Sequence, residues 1–85
     1  MNDETLLTHA ASVIAERRQV YGDPAKLFQS IAARWSLILG KVVTPEQVVL
    51  CMADLKIARL SHDPGHEDSI IDLAGYAALL REVAR

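Results

Sequence analysis

The sequence predicts an all-α protein, four helices forming a small bundle-like domain, and three observations carry that reading. Glycine and proline punctuate the chain at Tyr21-Gly22-Asp23-Pro24, at Gly40 and at Asp63-Pro64-Gly65, and so divide it into four stretches. Within each stretch apolar residues recur at helical spacing. No strand pattern competes, because Lys41-Val42-Val43 is too short and has no hairpin partner.

The first helix is expected from about Asp3 to Gln19, with Leu6, Leu7, Ala10, Val13, Ile14 and Arg17 along one stripe. Asp3 and Glu4 fall where the positive end of a helix favours acids. The second runs from about Pro24 to Leu39, with Asp23 as N-cap and Pro24 at the first helical position. Its stripe is Leu27, Phe28, Ile31, Trp35 and Ile38, and Gly40 closes it. Thr44-Pro45-Glu46-Gln47 is a capping box that opens a third helix reaching about Ser61. The fourth begins near His66 to Asp68 and is apolar almost all round, with Ile70, Leu73, Ala74, Ala77 and Leu80 on one side and Gly75, Tyr76, Leu79 and Val83 on the other. Such a helix is central to a fold or lies at a subunit interface. Phe28, Trp35, Leu55 and Leu73 are the expected core.

The 85 residues suffice for one domain, 1–85, with a radius of gyration of about 12 Å. A chain this short buries little surface, so a homo-oligomer is expected, a dimer first. Hydrophobic residues at 51% and charged ones at 24% exclude a disordered chain. A net charge of −2 gives no general attraction to nucleic acid or to an anionic membrane. Cys51 is the only cysteine, the start MNDETLL lacks signal-peptide character, and no apolar run is of membrane-spanning length, so a cytoplasmic protein is expected.

Three groups of polar residues interrupt the apolar pattern. Lys56 and Arg59 lie within about 80° of Val48 on the helical wheel, on a face that otherwise reads as core. Asp68 and Asp72, one turn apart, share a stripe with Gly75, Tyr76 and Leu79. Asp72 is a full turn inside the helix, beyond the reach of the helix dipole, and needs a cation, for which Lys56 and Arg59 are the expected partners across an antiparallel pairing of the last two helices. Arg17 continues the apolar stripe of the first helix and needs an acceptor, and Tyr21 is placed to stack or to pack. Two readings stay open. The charges form a structural network between helices, or they form a phosphate site in which Asp68 and Asp72 hold Mg²⁺ while Arg17, Tyr21, Lys56, Arg59 and Tyr76 contact the ligand. His62 and His66 are separated by Pro64-Gly65 and do not form a helical ligand pair. Cys51, among Leu50, Met52 and Leu55, reads as a packing residue.

The residues Arg17-Arg18-Gln19-Val20-Tyr21-Gly22-Asp23-Pro24, Thr44-Pro45-Glu46-Gln47-Val48, Leu55-Lys56-Ile57-Ala58-Arg59 and Asp68-Ser69 through Asp72-Leu73-Ala74-Gly75-Tyr76-Ala77 resemble an uncharacterised family of short phage and prophage proteins. The resemblance covers nearly the whole chain. The third helix and the run Glu67 to Tyr76 are more distantly similar to nucleotide-modification-associated domains and to the all-α, MazG-like nucleoside-triphosphate pyrophosphatases. That second resemblance implies a nucleotide pocket and Mg²⁺-dependent hydrolysis. The pyrophosphatases hold Mg²⁺ with an ExxE helix facing an ExxD helix, whereas here the first helix supplies only Glu16 and the fourth Asp68 and Asp72. Binding of a nucleotide or nucleotide-like phosphate is therefore the leading expectation, with a non-enzymatic interaction protein or a phage sponge for a nucleotide immune signal as alternatives.

Overall fold

In a computed structural model, residues 3–84 are described, with side chains described from Thr5 onward. The acidic side chains of Asp3 and Glu4 lie outside the described ones. The described residues form four helices, α1 (Asp3–Tyr21), α2 (Pro24–Leu39), α3 (Pro45–His62) and α4 (Glu67–Val83), and no strand.

The helix boundaries follow from local chemistry. Asp23 caps α2 by accepting the Ala25 N–H at 3.0 Å. Gly40 ends α2 in the left-handed conformation at φ 70°. The Thr44 hydroxyl accepts the Gln47 N–H at 3.2 Å, while the Gln47 side chain accepts the Thr44 N–H at 2.9 Å. Between α2 and α3, the Ser36 hydroxyl donates to the Ala32 carbonyl at 2.7 Å and accepts the Val43 N–H at 2.8 Å, which latches the turn onto the helix. The N-cap of α4 is His66, whose Nδ1 accepts the Ser69 N–H at 3.3 Å and lies 2.7 Å from the buried Ser69 hydroxyl. Sequence reasoning gave His66 no role, because histidine is not among the favoured caps.

The core joins Phe28 and Ala32 of α2 to Val48 and Val49 of α3, bordered by Trp35, Met52, Tyr76, Leu79, Leu80 and Val83. α4 packs most extensively on α3 and also meets α1 and α2, whereas α1 and α3 pack on α4 and not on each other. α4 is thus the central helix, which accounts for its lack of a polar face. Phe28 is buried as expected, but Trp35 and Leu73 are only partly so. Leu55 is 58% exposed and does not belong to the core. Val48, Val49, Met52 and Lys56 are the buried and half-buried residues of the inward face of α3, and Leu55, only about 20° from Val48 around the helix, lies at the solvent edge of that face. No helix among the described residues is long and apolar enough to cross a membrane.

Candidate functional site

Asp72 sits near the middle of α4 with a side chain only 15% exposed, where an unpaired carboxylate would be costly. Both of its oxygens are engaged. Lys56 Nζ of α3, itself 17% exposed, lies 2.9 Å from Oδ2, and Arg17 Nη2 of α1 donates to Oδ1 at 3.1 Å. Burial pushes the carboxyl upward in pKa, but the hydrogen bonds and charges of Lys56 and Arg17 together outweigh it and hold the group below its usual 3.8. One aspartate thereby ties three helices together.

The cation expected from Arg59 comes from Arg17 instead. Arg59 lies three residues beyond Lys56 toward the α3–α4 turn, about 4.5 Å further along the axis. Its head is exposed and forms no ion pair among the described residues. Asp68 is likewise exposed, one turn closer to the start of α4. Among the described residues no three His, Cys, Asp or Glu side chains converge as a metal group, so Asp68 and Asp72 gain no third donor.

Where α1 crosses α4 and α2 begins, a cleft of about 230 Å³ opens beside Asp72. Ile14, Leu27, Phe28 and Leu79 supply its apolar lining, and Arg17, Arg18, Tyr21, Tyr76 and Asp72 itself its polar groups. Lys56, Arg59 and Asp68 do not line it. Lys56 touches the cleft only through Asp72. Gly75 also lines the cleft, and a Cβ built on it would stand 3.8 Å from Ile14, an ordinary contact. Arg18, not among the residues singled out from the sequence, bonds Glu82 near the end of α4 at 2.6 Å and faces the same recess. Each guanidinium is about half exposed and uses one N–H in its ion pair, so the other donors of both heads remain for a further acceptor.

The fold and site define a small all-helical domain with a recess rimmed by arginine and tyrosine. Similar proteins are found in phages. The chain belongs to the family described as domain of unknown function DUF6378, whose profile matches residues 5–84. It is 38% identical over 81 residues to the Gene 55 protein of Mycobacterium phage L5, across 93% of this chain and 52% of that protein. It is 36% identical over 81 residues to the Gene 55 protein of Mycobacterium phage D29, across 94% of this chain and 54% of that protein. The chain therefore spans about half the length of these relatives. No solved structure matches it.

Proposed function

We infer that the cleft between α1, α2 and α4 binds a small phosphorylated aromatic ligand of the nucleotide class. The observation that carries this reading is the pairing of two half-exposed guanidinium groups, Arg17 and Arg18, with two phenol rings, Tyr21 and Tyr76, around one apolar floor. Guanidinium groups match phosphate oxygens in charge and geometry. A tyrosine ring offers a face on which a base can stack. The volume suits a mononucleotide better than a longer ligand, since pockets that enclose drug-sized molecules start at about 300 Å³.

Binding without turnover is the form of this function that the site favours. Asp72, the carboxylate nearest the cleft, already holds two cationic groups, and a Mg²⁺ ion would have to compete with both. Lys56 and Asp72 serve the reading structurally, by setting α4 against α3 and presenting Arg17 at the rim.

The test is a melting-temperature screen with nucleoside monophosphates, the matching nucleosides and inorganic phosphate, each with and without Mg²⁺. A ligand at about 100 Kd should stabilise the fold by roughly 2.7 kcal/mol. Arg17→Met, which keeps the apolar stem, should abolish the response to nucleotide. No response from any phosphorylated ligand in the wild type rules the reading out, and an equal response in Arg17→Met places the ligand elsewhere. A response that requires Mg²⁺ would restore the metal-dependent alternative.

A further inference from the structure

We propose that the cleft has two anion-binding ends and takes a nucleotide with a phosphate on either side of its sugar, a nucleoside 3′,5′-bisphosphate. The proposal rests on the nucleotide reading above and adds the number and spacing of the phosphates. Arg17 and Arg18 are neighbours in α1, yet they bond Asp72 and Glu82, which stand ten residues apart on α4. Ten residues of helix rise about 15 Å, and consecutive side chains of α1 point about 100° apart. The two guanidinium heads therefore stand at opposite ends of the cleft, which follows α4 from Asp72 to Leu79, rather than side by side. A single phosphate reaches a donor through a hydrogen bond of about 2.8 Å, so it serves one head and not both.

Each end carries the same surplus of charge. At the near end Arg17 and Lys56 share the carboxylate of Asp72. At the far end Arg18 bonds Glu82, and a shallow depression just beyond the cleft, lined by Arg18, Ala78, Arg81 and Glu82, adds the guanidinium of Arg81. Arg81 is exposed and forms no ion pair among the described residues. Its place in the last turn of α4 suits the helix dipole, which uses none of its N–H donors. Two cations against one carboxylate leave a net positive charge at either end, on a chain whose formal charge is −2. Two separate surpluses match two separate anionic groups.

The spacing of the ends selects among phosphorylated ligands. A 3′,5′-bisphosphate holds its phosphates apart by the width of the sugar, and a hydrogen bond on each side extends that reach towards both heads. A 5′-diphosphate joins its phosphates through one oxygen and delivers both to the same end. With the sugar between the ends, the base falls on the apolar floor of Phe28 and Leu79, beside the rings of Tyr21 and Tyr76. A phosphate that displaces Glu82 from Arg18 breaks only a part-exposed ion pair, and such pairs contribute little. The overall charge of −2 disfavours a nucleic-acid strand, whose inner nucleotides carry the same flanking phosphates.

The test is titration calorimetry at fixed ionic strength with the 5′-monophosphate, 5′-diphosphate and 3′,5′-bisphosphate of each common nucleoside, and with a single-stranded oligonucleotide of mixed sequence. In the wild type the bisphosphate of one nucleoside should bind at least about tenfold tighter than its monophosphate and its diphosphate. Two variants at exposed positions of the depression address the far end, Arg81→Gln and Ala78→Glu, the second adding a carboxylate there. Each should keep its helical circular dichroism and bring the bisphosphate to within about threefold of the monophosphate. If the monophosphate binds and the bisphosphate binds no tighter than it or than the diphosphate, the proposal is overturned while the nucleotide reading stands. An advantage that survives both variants, or an oligonucleotide that binds tighter than the bisphosphate, overturns it as well. Binding of none of these ligands removes both the proposal and the reading beneath it.

Discussion

Lys56 and Arg17 share the two oxygens of Asp72, but they do not contribute equally. The Lys56 bond is shorter and both its ends are largely buried, whereas the Arg17 head is half open to water and its charge is screened. Arg17→Met should therefore cost less than about 1 kcal/mol, and Lys56→Met, which leaves the largely buried carboxylate with only the water-screened Arg17, about 1–3 kcal/mol in chemical denaturation. Pairing Lys56→Met with Asp72→Leu should recover much of that loss, since a matched apolar pair replaces a desolvated ionic one. Acid acts in the same direction. The folded-state pKa of Asp72 lies below its ordinary 3.8, so the stability it provides is fully present above the unfolded-state value and is lost as pH falls through the folded one. The stability difference between wild type and Asp72→Asn should be constant from pH 7 to about 5 and shrink below about 4. Arg17, Tyr21, Asp72 and Tyr76, which line one cleft, could be grouped as a candidate site because Arg17, Asp72 and Tyr76 are polar groups on otherwise largely apolar stripes and Tyr21 follows Arg17 by one turn. Arg59 and Asp68 were not separable from them by the same logic, because helical phase fixes which residues share a face and says nothing of how far along the partner helix they land. Arg18 was missed for a related reason, since its partner Glu82 is 64 residues away and only the crossing of α1 over α4 brings the two together.

At the level of the helices, the chain signals its own boundaries. Asp23-Pro24, Gly40 and Thr44-Pro45-Glu46-Gln47 each determine a backbone conformation within four residues, which is why these limits could be read directly and agree with the structure. His66 could not, because its capping role depends on an imidazole nitrogen reaching a backbone N–H three residues on. The inward side of α3 was also illegible in part, because apolar residues surround that helix and only its neighbours select Val48 and Val49 over Leu55. Two substitutions test the boundary chemistry. Thr44→Ala should cost about 1 kcal/mol by removing half of the capping box. Gly40→Ala should cost about 1–2 kcal/mol even though nothing lies within 4 Å of the added methyl, because φ at 70° is unfavourable for any residue with a Cβ. Urea denaturation of both variants measures these costs, and a neutral Gly40→Ala would mean that the turn re-forms with a negative φ.

Across the whole molecule, contacts are unevenly distributed along the chain. α2, α3 and α4 pack as sequential neighbours joined by short turns, whereas α1 meets the rest chiefly at α4, through pairs separated by 55 and 64 residues. Closing so long a loop costs more chain entropy than closing a turn, and fewer contacts offset it. The hairpins should consequently assemble first and α1 dock last, and in the finished fold α1 should be the first element to detach. Native-state hydrogen exchange should find the α1 amides opening through a partial unfolding of lower free energy than the global one, while those of α3 and α4 exchange only on complete unfolding. Uniform protection across the four helices would contradict this. The docking of α1 through Arg17 and Arg18 has a consequence for time as well as for stability. A recess whose wall is also the last segment to arrive does not exist in the partly folded chain, so a ligand that fits it acts as a clasp, lengthening the residence of α1 on α4 without altering how fast the hairpins form.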